Sequence, residues 1–78
     1  MVVVGEVRVG APLSGRTVAQ IHDEVGVRVL RLKRGQEPSR DPKSTEKLAD
    51  GDVAIIQAPF EAFRKVAGPA EGAAKTAG

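Results

Sequence analysis

The sequence predicts an α+β fold, a mostly antiparallel sheet with two helices packed on it, in the order β-α-β-(β)-β-α. Three observations carry that expectation. Valine- and isoleucine-rich runs recur at residues 2–9, 27–34 and 53–57, and their length and β-branched content suit strands. Two stretches, 18–25 and the segment after Pro59, place their apolar residues at helical spacing instead. Glycine and proline punctuate every junction, as at Gly10-Ala11-Pro12, Gly26, Gly35, Gly51 and Gly68-Pro69.

In the first strand Val7 and Val9 alternate with Glu6 and Arg8, which gives one buried face. Pro12 then ends the ladder, having no amide hydrogen to donate. Thr17 is placed to cap the first helix, and Gln20 three residues later completes a capping box. Val18, Ile21 and Val25 share one helical face, and Gly26 occupies the position where a left-handed C′ residue is wanted. In the second strand Val27 and Val29 are expected on one face, with Leu30 and Leu32 on the other. A strand apolar on both faces suits a central or covered position. Residues 36–47, with two prolines and charges of both signs, read as loop with room for one short edge strand. Asp50-Gly51-Asp52 is a turn signature, Gly51 being free to take positive φ. Pro59 is expected in the first turn of the second helix, with Phe60, Phe63 and Val66 packing on the sheet.

Size and composition bound the function. The chain has 78 residues, near the lower limit for a self-sufficient core. The final stretch, 69–78, has no apolar side chain larger than alanine and is expected to be a disordered tail. With no cysteine, neither disulfides nor thiolate zinc sites can supplement the core, and the lone His22 cannot anchor a metal. Association with a second copy is the remaining route to extra burial, so a homodimer is expected. No apolar run is long enough to span a membrane.

Twelve Lys and Arg against ten Asp and Glu give a net charge of +2, too little to argue for nucleic acid. Arg28, Arg31, Lys33, Arg34 and Arg40 nevertheless make a local basic zone. A small basic nucleic-acid-binding protein is the remoter alternative, weakened by the lack of aromatics to stack bases. No nucleophile–base arrangement and no phosphate loop is present, so the chain is not expected to be an enzyme.

Three segments taken in order resemble the RCK_C (TrkA-C) family of regulatory domains, over 4–68. They are Glu6-Val7-Arg8-Val9 followed by Leu13-Ser14-Gly15-Arg16-Thr17-Val18, then Gly26-Val27-Arg28-Val29-Leu30-Arg31-Leu32-Lys33-Arg34-Gly35, and finally Leu48-Ala49-Asp50-Gly51-Asp52-Val53-Ala54-Ile55-Ile56. Phe60-Glu61-Ala62-Phe63 is similar to the closing helix.

The resemblance implies a cytoplasmic homodimer that senses a ligand. It further implies partnership with a nucleotide-binding RCK_N domain and a membrane potassium channel, transporter or cation/proton antiporter. The sequence contains no Gly-x-Gly-x-x-Gly after a strand, so it holds no dinucleotide fingerprint of its own.

Several members bind cyclic di-AMP between the two subunits, around the second strand and the loop after it. The corresponding positions here are Val27, Leu32, Lys33 and Arg34, with Ser39, Arg40, Asp41 and Pro42 in the loop. Arg and Lys from two copies would meet the two phosphates, and Val27 and Leu32 would pack on the adenines. The loop has no asparagine to bond the ligand, so Ser39 or Asp41 would substitute, and Asp41 would repel phosphate. No metal or intrinsic cofactor is expected. The competing reading is a dimerisation module with an empty cleft, its bases solvating an exposed strand face.

Overall fold

In the computed structural model residues 1–67 are described, and strands β1 (Val2–Arg8), β2 (Arg28–Lys33) and β3 (Val53–Pro59) form one sheet. The tail expected at 69–78 lies outside the described residues. The strand order is β1-β3-β2, and β3 runs antiparallel to both neighbours. The most apolar strand therefore takes the centre, while β2, whose two-sided apolar pattern suits a central or a covered position, is an edge of this sheet. Ala54, Ile56 and Ala58 alternate along the buried face of β3, and the two alanines leave room for helices above them.

The bracketed fourth strand does not form. The backbone of the loop at 36–47 pairs with the sheet only through one isolated bridge, Leu32 to Arg40, in which each backbone amide donates to the other residue's carbonyl. Two prolines and alternating charges leave the segment little to bury.

A β-bulge corrects the faces expected for β2. Val29 lies opposite Ile56 and Leu32 opposite Ala54, with a register shift between Val29 and Arg31. Leu30 is thus the extra residue. Val29 and Leu32, three apart, both enter the core instead of lying on opposite faces, while Leu30 is half-buried.

The first helix, α1, begins as Val18–Gln20 and widens into a π-helical turn, Ile21–Val25. Its capping box is formed: Thr17 Oγ1 accepts from the Gln20 amide at 3.1 Å, and Gln20 Oε1 accepts from the Thr17 amide at 2.9 Å. The Gly26 amide reaches back five residues to the Ile21 carbonyl, with φ of 80°, so the glycine ends the helix as expected. Ile21 is fully buried, with Val18 and Val25 packed around it.

The second helix, α2, spans Phe60–Ala67 and packs on β1 and β3. Pro59 is not in its first turn; it is the last residue of β3, opposite Val2, and the Phe60 amide donates to the Met1 carbonyl. Phe63 and Val66 are buried as the spacing predicts, whereas Phe60 stays 44 % exposed. A residue at the strand–helix junction has not yet turned onto the core face. Burying Phe63 contributes roughly 2–3 kcal/mol. With Ile21, Leu32 and Ile56 it belongs to a single core between helices and sheet.

Candidate functional site

The basic zone assembles where the end of β2 meets the loop folded against it. β2 delivers Arg31 and Lys33 as exposed residues and Leu32 as a buried one, by alternation beyond the bulge. The Leu32–Arg40 bridge then fixes the loop beside the strand edge. Arg31 reinforces that placement. Its Nε donates to Ser39 Oγ at 3.0 Å, one Nη to the Ser39 carbonyl at 2.8 Å, and the other to Asp41 Oδ1 at 3.3 Å.

The far side of the loop is held by α1. The first amides of the helix have no partner within it. Those of Val18 and Ala19 donate to the carbonyls of Glu46 and Ser44, both at 3.0 Å, and an isolated bridge joins Thr17 to Lys47. The capped helix end therefore sets the position of Glu46.

Glu46 joins a chain of four charged side chains. Arg34 grips the buried Asp52 with Nε and Nη2, at 2.8 to 3.2 Å, and Nη2 also donates to the Lys47 carbonyl at 3.1 Å. The Ala49 amide completes the Asp52 shell at 3.0 Å. Arg34 Nη1 lies 3.4 Å from Glu46 Oε2, and Arg40 holds both Glu46 oxygens, at 2.7 and 2.5 Å.

The pairing shifts each group in the direction that keeps it charged. Hydrogen bonds from Arg34 hold Asp52 below its ordinary value, and burial works against them. Hydrogen bonds from Arg40 hold Glu46 below its ordinary value in the same way. Arg34 and Arg40 are raised, chiefly by their bonds to Asp52 and Glu46.

The eight residues singled out by sequence thus have different surroundings. Lys33, Ser39, Arg40 and Asp41 are exposed and gathered at the end of β2, with Pro42 half-buried behind them. Arg34 is half-buried and tied to Asp52. Leu32 lies beneath the group, 1 % exposed, so its side chain is not a surface wall. Val27 is fully buried before the opposite end of β2. The half-exposed aliphatic residue of this strand is Leu30, which lines a groove of about 480 Å³ with Val18, Ala19, His22, Arg28 and Ser44.

Sequence reasoning missed three participants. Arg31 was visible only as part of a charge run, and nothing local marks it as the residue that orients Ser39 and Asp41. Glu46 sits in a mixed-charge loop without a pattern. Asp52 reads as part of its turn, although a carboxylate immediately before the apolar run Val53-Ala54-Ile55-Ile56 is a signal that it needs a cation.

Lys33, Ser39 and Arg40 are exposed at this end of β2, with Ser39 Oγ held by Arg31 and Arg40 paired with Glu46. Among the described residues no helix is long and apolar enough to cross a membrane.

Among the solved structures that share this fold are two RCK domains. One is the RCK C domain of the potassium transport protein KtrA, solved in complex with cyclic di-AMP; the likeness covers 80 % of this chain and 75 % of that one, with a TM-score of 0.64 and 20 % identity. The other is the GsuK RCK domain, with a TM-score of 0.60 and 17 % identity over 78 % of this chain, which spans only 14 % of that one. Comparison with curated proteins gives no match. The TrkA-C domain model matches residues 4–68, nearly all of the described chain, and the chain belongs to that family.

Proposed function

We propose that this domain is a non-catalytic, cytoplasmic ligand sensor of a potassium or cation/proton transport system, working as a homodimer with cyclic di-AMP in the cleft between two copies. The observation that carries the reading is the loop at Ser39–Pro42, docked on the end of β2 with Lys33, Ser39 and Arg40 all exposed. Two such surfaces related by a two-fold axis would offer paired cations to a ligand with two phosphates. Leu30 and its groove would receive an adenine, with Leu32 and Val27 supporting from beneath. Arg34 would act through its hold on the loop. Asp41, engaged by Arg31, presents less bare negative charge to the ligand.

The structural likeness to a KtrA domain in complex with cyclic di-AMP supports the choice of ligand. The small core supports the dimer. The ligand would act on an RCK_N domain and its membrane channel, transporter or antiporter by favouring one dimer geometry over another, and only to the extent of that preference.

A second reading, a dimerisation module with an empty cleft, draws on one observation: Asp52 and Glu46 already neutralise Arg34 and Arg40. Calorimetric titration of the domain with cyclic di-AMP separates the two, with cyclic di-GMP and AMP as controls. One dinucleotide bound per two chains, weakened by Lys33→Ala, supports the sensor. A dimer by sedimentation that gives no heat at high micromolar ligand supports the empty module.

A further inference from the structure

We propose that Glu46 is an internal counter-anion that occupies Arg40, and that a ligand phosphate gains Arg40 only by replacing the Glu46 carboxylate. The inference rests on the anion-sensing reading and adds a gate to that site. It follows from how the four charges are arranged.

Arg34 is committed. Nε and Nη2 are spent on Asp52 and the Lys47 carbonyl, and Asp52 is 3 % exposed, so withdrawing Arg34 would strand a buried carboxylate. Arg40 is in a different position. Its side chain is 43 % exposed, and both of its terminal nitrogens point to one carboxylate. A phosphodiester offers the same two-oxygen acceptor with the same single charge, so it can take the guanidinium fork in place of Glu46.

The exchange leaves no bare charge behind. Glu46 is 17 % exposed and would resist losing its partner, but Arg34 Nη1 already lies 3.4 Å from its Oε2. When Arg40 turns to the ligand, Glu46 stays beside Arg34. The backbone changes little, because Arg40 is held by its bridge to Leu32 and Glu46 by the Val18 amide. What moves is one long side chain. Glu46 thereby sets the affinity threshold that a ligand must exceed.

The test is a double-mutant cycle in the intact domain, with cyclic di-AMP binding measured by calorimetry for wild type, Glu46→Gln, Arg40→Gln and the double variant. Glu46→Gln is expected to bind at least three-fold more tightly, and the gain is expected to vanish in the Arg40→Gln background. A gain that persists without Arg40 would show only the removal of a negative charge and would overturn the exchange. So would an unchanged affinity in Glu46→Gln, while leaving the sensor reading intact. If wild type binds no dinucleotide, the sensor reading fails, and the exchange is judged with inorganic pyrophosphate by following the Arg40 Nε–H signal in labelled wild-type protein. A shift that saturates, and saturates earlier in Glu46→Gln, supports it; an unmoved signal ends it. The wild-type spectrum decides even if a variant folds poorly.

Discussion

The guanidinium of Arg34 closes a fork on the buried carboxylate of Asp52, joining the end of one strand to the turn before another. Asp52 is the only buried polar or charged residue among those described, and both of its carboxylate oxygens are hydrogen-bonded. The same turn also pairs with the end of β1, because the Val9 amide donates to the Asp52 carbonyl and Gly51 donates back to Val9. Gly51 has φ of 89°, which a side chain would disfavour. This one contact therefore joins the second strand, the central strand and the exit of the first.

Arg34→Ala is expected to cost about 3 kcal/mol, because it strands a buried carboxylate, not because it removes an exposed cation. Arg34→Lys should cost less, since a single ammonium replaces only part of the fork. Urea unfolding at pH 7 measures both. A cost near zero for Arg34→Ala would show that Asp52 is solvated. The same result bears on ligand experiments: loss of binding in Arg34→Ala would report a displaced loop as readily as a lost phosphate contact.

Acid should loosen this junction first. Asp52 titrates below its ordinary value of 3.8 in the folded chain and at that ordinary value in the unfolded one. A depressed carboxylate gives stability that is fully present above the unfolded value and is lost as pH falls through the folded one. Glu46 adds to the slope in the same direction. Stability should therefore be flat near neutrality and fall below about pH 4. Asp52→Asn should be less stable at pH 7 by about 2 kcal/mol, and the gap to wild type should close as the pH is lowered. Urea midpoints at pH 7 and pH 3 for both proteins test this; a gap that widens in acid would contradict it.

Local chemistry made much of the fold readable. Thr17 with Gln20, and Gly26 at positive φ, are contacts within a few residues, so spacing alone specifies them. The apolar run that marks β3 as a strand is equally plain. What failed depends on distant partners. The bulge at Leu30 is set by pairing with Ile56 and Ala54, and no period within β2 announces it. Pro59 satisfies both a helix start and a strand end, and only the presence of β1 opposite decides. The site divided in the same way. A run of bases located the region, but the exposed cations differ from the committed one through Asp52 and Glu46, both well beyond β2 in sequence.

The bulge makes a contrast between adjacent leucine positions. Leu32→Ala should cost about 3 kcal/mol, since it opens a cavity against Ala54 in a core that is filled. Leu30→Ala, at a half-buried position, should cost about 1 kcal/mol or less. Under simple alternation the two would have been equivalent, on the same face. Thermal unfolding of the two variants is enough, and equal losses would argue against the register shift.

The cap of α1 gives the last test, because it links a helix end to the loop. Thr17→Ala removes the acceptor for the Gln20 amide and should cost about 1 kcal/mol. Its effect should not stay local. The amides of Val18 and Ala19 are bonded to the Glu46 and Ser44 carbonyls, so fraying of the first turn releases the loop that carries Glu46. Hydrogen exchange should show those two amides losing more protection than the change in global stability accounts for, while Ile56 in the central strand follows the global value. If all amides lose the same protection, the cap merely contributes to overall stability and α1 does not position the loop.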